Sequence, residues 1–214
     1  METAKTSDTD AVRDMYDATA ESYSTMMDSE ISDPIYADTL ERLRASIEHL
    51  SGTLIDAPCG SGHMLSMYHE HYDSDRALLG VDVSPNMVAI SRNRLGPAAE
   101  IIVGDIRELL TVETGSAAAV ISHFAFHHLD AGGVQRALEE WCRVLQVGGQ
   151  LVVALWEGAG PIDYGDENDL IAIKHDVDGI ETLFRDSGFS VSMSNIEFDD
   201  EMQMDALYLE GAKI

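Results

Sequence analysis

Short apolar runs alternate along this chain with longer segments whose apolar side chains recur every three or four residues. Uninterrupted runs of this length predict buried strands, whereas the wider spacing predicts amphipathic helices. The predicted strands span 53–57, 77–83, 100–105, 117–124 and 150–156. The predicted helices span 9–28, 34–50 and 134–146, with others up to Tyr72 and after Ser84. Such alternation predicts a parallel sheet that helices cover on both faces.

The C-terminal part of the chain departs from this alternation. A helix is predicted from residue 177 to Gly188, and strands follow at 189–198 and 205–210, joined by an acidic loop. A parallel crossover takes about a dozen residues or more, and this loop is shorter, so the two strands are predicted to lie antiparallel. The sheet is therefore expected to be mostly parallel, with an antiparallel strand near its end.

Aspartates stand at the ends of three successive predicted strands, at Asp56, Asp82 and Asp105. In an open α/β sheet the ligand binds outside the carboxyl ends of the strands. A single aspartate in such a place is most simply a turn former or a helix cap. Three of them in register, the first followed by a Gly-Ser-Gly turn at 60–62, indicate a ligand of the nucleoside type.

The glycine turn narrows the kind of nucleoside. A dinucleotide-binding turn reads G-x-G-x-x-G, and Leu65 stands where its third glycine belongs. The lysine of a phosphate-binding P-loop is also missing. The turn therefore allows the backbone to approach a ligand closely without a pyrophosphate cradle, which disfavours NAD and favours a nucleoside without phosphates.

Five stretches between about residues 50 and 156 carry a resemblance to a known family: LIDAPCGSGHML, LLGVDVSPNMVAISRNRL, IIVGDIREL, VISHFAFHHL and WCRVLQVGGQLVVAL. In this order and spacing they resemble the class I, Rossmann-like S-adenosylmethionine-dependent methyltransferases. Pro58 departs from the family's D-x-G-x-G-x-G turn, which alters the local loop path but leaves Gly60 and Gly62. The resemblance implies an α/β fold: a Rossmann-like doubly wound, mostly parallel seven-stranded sheet with an antiparallel C-terminal strand, helices on both faces and N-terminal cap helices.

The resemblance also implies S-adenosyl-L-methionine as the cofactor and S-adenosyl-L-homocysteine as its product. By that resemblance, Asp82 accepts hydrogen bonds from both ribose hydroxyls, Asp105 accepts from the adenine amino group, and Asp56 lies near the ammonium group. Tyr16 and Tyr23, seven residues apart, share one helical face that covers the cofactor in similar enzymes; alternatively, both rings only pack the helix down. The implied cofactor-binding residues are Tyr16, Tyr23, Asp56, Ala57, Gly60, Gly62, Asp82, Val83, Met87, Asp105, Ile106 and, mainly through its backbone, His123.

Histidines are the candidate catalytic residues. Methyl transfer from a sulfonium needs an aligned nucleophile, and it needs a general base only where the acceptor holds a proton tightly. His127 and His128 follow the fourth strand beside the expected methyl position, so either is a candidate to accept a proton or to fix an anionic substrate. The alternative for His128 is a turn or helix cap. His63 is expected at the surface, whereas His175 is expected within reach of the pocket.

We predict a single domain over residues 1–214. Its predicted parts are cap helices at 1–50, a cofactor-binding core at 51–157, a substrate lid at 158–178, and a C-terminal helix with a strand hairpin at 179–214. The lid is inferred from glycines that permit unusual backbone angles and from aromatic side chains such as Tyr164; an ordinary irregular connection is the alternative. Because this insertion is short, we expect a small-molecule acceptor.

Charge limits the choice of partners. The chain has 39 acidic and 13 basic side chains, a formal charge of −26, and no basic stripe, which excludes nucleic acid as a partner. Adaptation to a salty cytoplasm and an ordinary acidic enzyme are both compatible with this excess. The longest uncharged stretch, at 115–129, is too short to span a bilayer, and the start of the chain has no signal pattern. We therefore expect a cytoplasmic protein, monomeric or homodimeric, with no membrane partner.

Two cysteines, Cys59 and Cys142, fit neither a disulfide framework nor a zinc spacing, so we expect reduced packing residues and no metal site. The leading hypothesis is an S-adenosylmethionine-dependent methyltransferase that acts by in-line displacement on an oxygen, nitrogen or carbon nucleophile of a small molecule. A non-catalytic module that binds the same cofactor, as a sensor or a partner subunit, is the alternative. An NAD-dependent oxidoreductase of similar sheet topology is less favoured.

Overall fold

A computed structural model describes residues 6–162 and 170–214 of the chain. The helices are α1 (Thr9–Glu30), α2 (Pro34–Ile47), α3 (His63–His71), α4 (Pro85–Leu95), α5 (Ala131–Val144) and α6 (Val177–Asp186), with short 3-10 turns at Gly96–Ala98 and Phe126–His128. The strands are β1 (Thr53–Asp56), β2 (Leu78–Asp82), β3 (Glu100–Val103), β4 (Ala117–His123), β5 (Leu145–Trp156), β6 (Pro161–Ile162), β7 (Ala172–Ile173), β8 (Phe189–Asp199) and β9 (Met204–Lys213).

Seven strands form the large sheet in the order β3-β2-β1-β4-β5-β9-β8. Strands β1 to β5 pair in parallel, whereas β9 lies antiparallel to both β5 and β8. The predicted Rossmann-like, mostly parallel sheet with an antiparallel C-terminal end is thereby confirmed. Because the strand order reverses between β1 and β4, their carboxyl ends open onto a switch point, where ligands bind in such sheets.

The start of β5 differs from the prediction. Gly148 and Gly149 predict the end of the preceding helix, with a strand from residue 150 onward. Instead, α5 ends at Val144, and β5 begins at Leu145 and runs through both glycines. Gly148 adopts φ 78°, a left-handed conformation that glycine takes without steric strain, so the pair bends the strand rather than ending the helix.

Side-chain caps decide where most of the helices begin. Asp33 accepts a hydrogen bond from the Ile35 amide (2.9 Å), with Pro34 at the first helical position, as the sequence predicts. Asp130 caps α5 in the same way. Helix α3 differs, because it begins after Gly62 in a left-handed conformation and no side chain caps it. The first amide groups of α3 are therefore available to a ligand at the switch point.

Buried side chains fill the space between the sheet and the helices on each face. On the face that α5 and α6 cover, the largest are Phe126, Trp141, Phe184 and Phe189. On the face that α2, α3 and α4 cover, they include Leu40, Leu43, Leu65 and Tyr68. The Trp141 ring stacks on Phe126 with 5.5 Å between ring centroids, and its Nε1 donates to the Ile106 carbonyl (3.0 Å). Trp141 thus joins α5 to the loop that follows β3.

Within residues 6–162 and 170–214, no helix is both long enough and apolar enough to cross a membrane. The same ranges contain no group of three histidine, cysteine or carboxylate side chains arranged to hold a metal ion. Cys59 and Cys142 are free, and Cys59 is buried. Part of the predicted lid, including Tyr164 and the rest of 163–169, lies outside the described residues.

Candidate active site

A cleft opens at the carboxyl ends of β1, β2 and β4, beneath α1. It holds about 1110 Å³ of space when open solvent is included. The predicted site residues that line it are Tyr16, Tyr23, Asp56, Gly60, Asp82, Val83, Met87, Asp105, Ile106, His123 and His128. Among the described residues, Ala57, Gly62 and His127 are not part of the lining. The topology thus brings most of the predicted residues together, although their individual roles stay predictions.

Asp82, at the end of β2, fixes the shape of the glycine turn. Its Oδ2 accepts a hydrogen bond from the Gly60 amide (2.9 Å), and its Oδ1 accepts from the Ser84 amide (2.9 Å). The side chain is buried, and burial raises the pKa of Asp82 to about 6, although the two amides oppose this rise. Each carboxylate oxygen has a further lone pair, so Asp82 retains the capacity to accept ribose hydroxyls.

Gly62→Ala is expected to destabilise the protein more than Gly60→Ala. Both glycines have positive φ, 83° and 49°, which costs an alanine about 1–2 kcal/mol. At Gly62 the added Cβ would also overlap Ser91 Oγ and lie 3.1 Å from Leu95 Cδ1. At Gly60 the nearest atom is Tyr23 Cε1, at an ordinary 3.4 Å. Urea unfolding of the two variants measures the difference, and an equal loss of stability would contradict it.

Asp56, at the end of β1, is a buried carboxylate that accepts no hydrogen bond from the described residues. Burial, followed by the negative charge of Asp82, raises the pKa of Asp56 well above its usual value. Two neighbouring buried carboxylates without a cationic partner are unfavourable in the ligand-free protein. A ligand that carries positive charge would relieve this, so the pair fits a cationic cofactor whose ammonium group lies near Asp56.

Asp56→Asn is therefore expected to stabilise the ligand-free protein and to weaken its binding of S-adenosylhomocysteine. Folding raises the pKa of this carboxyl group, so the free energy of unfolding of the protein falls as the pH rises from the ordinary pKa of 3.8 through the pKa of the folded state. The gain in thermal unfolding midpoint should consequently be larger at pH 8 than at pH 4.5. Scanning calorimetry at the two pH values, with titration calorimetry at pH 8, checks both effects. An equal gain at both pH values would refute this account.

Asp105 follows β3 and is held by Arg107. The Arg107 amide and Nε donate to Asp105 Oδ1 (2.9 and 2.8 Å), and Nη2 donates to Oδ2. Burial raises the pKa of Asp105, but the hydrogen bonds and charge of Arg107 outweigh it and leave a value below the usual one. Asp105 is thus a charged acceptor, as its predicted adenine contact requires, and Arg107 is a partner that the sequence did not suggest.

Hydrogen bonds from both sides of the cleft hold the first half of α1 in place. Asp17 accepts hydrogen bonds from Ser84 Oγ (2.5 Å) and from the Asn86 amide (3.0 Å), both at the start of α4. Thr9 accepts from Arg107 Nη2 (2.6 Å). These contacts join residues that are 67 or more positions apart in the chain, so no local pattern could have indicated them.

A second set of hydrogen bonds holds the end of α1, and it involves His63, which the sequence analysis placed at the surface. His63 is buried, not at the surface, and its Nε2 lies 2.8 Å from Asp28 Oδ1. Its Nδ1 lies 2.9 Å from Ser61 Oγ in the glycine turn, and Arg94 Nη2 also donates to Asp28 (3.0 Å). His63 leaves the surface because the first turn of α3 points into the cleft beneath α1. Burial lowers the pKa of His63 despite Asp28, so the imidazole is neutral at neutral pH.

Tyr16 and His128 meet at the edge of the cleft. The Tyr16 hydroxyl lies 2.9 Å from His128 Nε2, and the rings pack edge to face at 5.4 Å. Burial lowers the pKa of His128 to about 4. A histidine with so low a pKa is neutral at pH 7 and is a weak proton acceptor. Its contact with Tyr16 shows that His128 also helps to position α1.

His127 is packed behind this edge. Its ring centroid lies 4.0 Å from that of His128, and burial lowers its pKa well below the usual value. His127 is not part of the described cleft lining. That it faces the acceptor stays a prediction. His175 lies nearby and points toward the backbone, with Nε2 2.8 Å from the Phe126 carbonyl.

The side chain of His123 lines the cleft, although the sequence suggested mainly backbone contacts there. Both ring nitrogens are shielded from solvent, and neither has a hydrogen-bond partner in the part of the chain that the structure describes. Burial lowers the pKa of His123 to about 4, so the ring is neutral at pH 7. Its neighbours are the rings of Tyr36 (6.0 Å), Phe124 (6.2 Å) and Tyr208 (6.4 Å). Tyr36 and Tyr208 lie in a predicted helix and strand whose patterns did not distinguish them from core residues.

Residues 54–149 match the family model described as a methyltransferase domain. A chain in the complex of the Haloferax volcanii Trm112 methyltransferase activator with the putative methyltransferase is 22% identical, with 94% of this chain and 97% of that one covered and a TM-score of 0.74. The 1,6-didemethyltoxoflavin-N1-methyltransferase of Burkholderia thailandensis is 17% identical (95% and 87% covered, TM-score 0.72). Geranyl diphosphate C-methyltransferase of Streptomyces coelicolor is 14% identical (83% and 77% covered, TM-score 0.66). A search of curated proteins gives no significant match.

Proposed function

We propose that this chain is a class I S-adenosylmethionine-dependent methyltransferase that transfers the methyl group to a small-molecule acceptor by in-line displacement. Two similar structures are named for small acceptors, a didemethyltoxoflavin and geranyl diphosphate. A formal charge of −26 also disfavours nucleic acid as the acceptor. In addition, α1 closes over the cleft, which suits an acceptor small enough to be enclosed.

The buried pair Asp56 and Asp82, beside the uncapped start of α3, is the observation that carries this proposal. When bound, S-adenosylmethionine supplies a methyl group activated by a positively charged sulfur. In our proposal Asp82 accepts the ribose hydroxyls, Asp56 faces the ammonium group, and the free amides of α3 bind the carboxylate. Tyr23 covers the glycine turn, since its Cε1 would lie 3.4 Å from a Cβ at Gly60.

The chain's remaining contribution is alignment of the acceptor and exclusion of water. The hydrogen bonds of Asp17 and Asp28 keep α1 over the cleft. The cleft wall beside His123 consists of aromatic rings. His123 and His128, with pKa values of about 4, act as neutral hydrogen-bonding groups at pH 7. His127 and His128 stay candidates for contact with the acceptor, but neither environment strengthens a histidine as a base.

Titration calorimetry with S-adenosylhomocysteine tests the cofactor. We expect one site per chain with a micromolar or tighter dissociation constant, and no heat with NADH at the same concentrations. A folded sample that does not bind S-adenosylhomocysteine would overturn the proposal, and binding of NADH instead would support an oxidoreductase. Mass spectrometry of acceptor mixtures incubated with S-adenosylmethionine then distinguishes an enzyme from a non-catalytic binding module.

A further inference from the structure

One end of the cleft is walled by aromatic rings, which we call the aromatic chamber: Tyr36, His123, Phe124 and Tyr208. Tyr36, His123 and Phe124 line the cleft directly. The Tyr208 ring packs edge to face against both His123 (6.4 Å) and Phe124 (6.3 Å). Helix α2, the end of β4 and strand β9 each contribute to this wall, so it is fixed by the central fold and not by a loop alone.

Within residues 6–162 and 170–214, the polar atoms of the aromatic chamber have no hydrogen-bond partner. Both nitrogens of His123 are shielded from solvent and make no hydrogen bond with these residues. The hydroxyl groups of Tyr36 and Tyr208 make none with the described residues, but they are not among the fully shielded polar atoms. Buried polar groups in native proteins are normally satisfied, so the shielded, unpartnered ring of His123 beside the cleft indicates a ligand that satisfies it.

Carboxylates that are not part of the cleft lining act on the tyrosines of the aromatic chamber. Burial raises the pKa of Tyr36 and Tyr208, and the negative charges of Glu30 and Asp33 raise both values further. Asp199 acts on Tyr208 and also on Glu30, whose own pKa is raised. Among the described residues, the carboxylates that act on Glu30, Tyr36 or Tyr208 in this way are Glu30, Asp33, Glu197, Asp199 and Glu201. This end of the cleft therefore has a negative potential.

The other end of the cleft carries positively charged side chains. Arg107 lies there, bound to Asp105, and Arg136 also acts on the Asp105 carboxylate. Asp105 is the residue predicted to contact adenine. With the adenine assigned to the arginine-containing end, the acceptor occupies the acidic and aromatic end.

From this juxtaposition we propose that the aromatic chamber binds the methyl acceptor as an amine, so that the protein is an N-methyltransferase of small amines. This inference rests on the proposed function. Aromatic faces attract ammonium groups, and nearby carboxylates strengthen that attraction. Neutral His123 adds an acceptor for an N–H group. A neutral or anionic acceptor would gain nothing from this charge distribution.

The chemistry of an amine acceptor matches that distribution. The amine loses its proton to solvent before reaction, and its lone pair forms the new bond to the methyl carbon. As the carbon–sulfur bond breaks, its electron pair stays on sulfur and the positive charge passes to nitrogen. The nitrogen is thus charged when the amine binds, neutral when it reacts, and charged again in the methylated product, so the carboxylates and rings favour both substrate binding and the charged product. No buried histidine has to remove a proton during the displacement.

Binding of three matched probes to the protein saturated with S-adenosylhomocysteine tests this inference. The probes are choline, its uncharged isostere 3,3-dimethylbutan-1-ol, and the anion 3,3-dimethylbutanoate, which share size and shape and differ in charge. We expect calorimetry or NMR titration to show choline binding at least about tenfold more tightly than the isostere. The anion should bind most weakly. Equal or tighter binding of the isostere or the anion, or no binding of choline, would overturn the proposal.

Two variants and one control locate the effect. Glu30→Gln should weaken choline binding several-fold and leave the isostere unchanged, and Tyr36→Leu should remove most of the preference between them. Glu113→Gln removes one carboxylate from an exposed loop before β4, at the far end of the sheet, and should change neither probe. Equal effects of Glu30→Gln and Glu113→Gln would overturn a site at the chamber. Retained S-adenosylhomocysteine binding in each variant separates failure of this inference from failure of the proposed function.

Discussion

Asp82→Ala is expected to weaken binding of S-adenosylhomocysteine about a hundredfold or more. Asp82 is predicted to accept both ribose hydroxyls, and hydrogen bonds to a charged group contribute about 1.5–3 kcal/mol each. The substitution also removes the two acceptors that hold the Gly60 and Ser84 amides, so the glycine turn loses its fixed shape. Titration calorimetry at pH 7.5 measures the loss directly.

Asp82→Asn serves as the matched comparison. It keeps the size of the side chain and one acceptor oxygen, so its affinity should lie between those of the wild type and Asp82→Ala. The pKa of Asp82 is about 6, so its carboxyl group gains a negative charge as the pH rises from the ordinary range of aspartate pKa values to pH 7. Wild-type affinity should rise over that range, whereas affinity of the Asn variant should not. Unchanged affinity in Asp82→Ala would contradict the assignment of the ribose site.

Trp141→Ala is expected to lower the free energy of unfolding by about 3–5 kcal/mol, the usual loss for a buried tryptophan. Trp141 is fully buried, stacks on Phe126, and donates a hydrogen bond to the Ile106 carbonyl. Its removal leaves a cavity between α5 and the sheet and an unsatisfied carbonyl in the loop that precedes Arg107. Urea unfolding followed by circular dichroism measures the loss.

Trp141→Phe separates the two contributions to this effect. It keeps an aromatic ring against Phe126 but removes the hydrogen bond, so about 1–2 kcal/mol of the loss should remain. Because Ile106 belongs to the predicted adenine site, both variants should also bind S-adenosylhomocysteine more weakly than their stability alone explains. A loss below about 1 kcal/mol in Trp141→Ala would show that this face of the sheet repacks around the cavity.

Much of the fold could be predicted from the sequence because its signals are local. Alternating apolar runs and amphipathic segments indicated the parallel sheet, and the short acidic loop after residue 198 indicated the antiparallel end. The strand-end aspartates could be placed in one cleft because parallel strands share an edge. The predicted start of the fifth strand at residue 150 was wrong, because a glycine within a strand, such as Gly148, and a glycine that ends a helix look alike in sequence.

The details of the site depend on contacts between distant residues. Asp28 and His63 are 35 positions apart, and neither lies in a pattern that indicates the other. Tyr36 and Tyr208 resemble core residues until the sheet order places β9 beside β5 and within reach of His123. The low pKa values of His123 and His128 likewise follow from burial, which spacing along the chain does not reveal.

The buried pair Asp56 and Asp82 leads us to expect that the stability of this protein depends on the supply of its cofactor. Empty protein holds two carboxyl groups whose ionisation opposes folding, and a cationic ligand relieves that opposition. By mass action, a ligand at 100 times its dissociation constant adds about 2.7 kcal/mol of stability. When the methyl donor becomes scarce, we expect a larger fraction of molecules to unfold and to be exposed to proteases. The methylation capacity of the cell would then fall through turnover of the protein as well as through lower occupancy of its site.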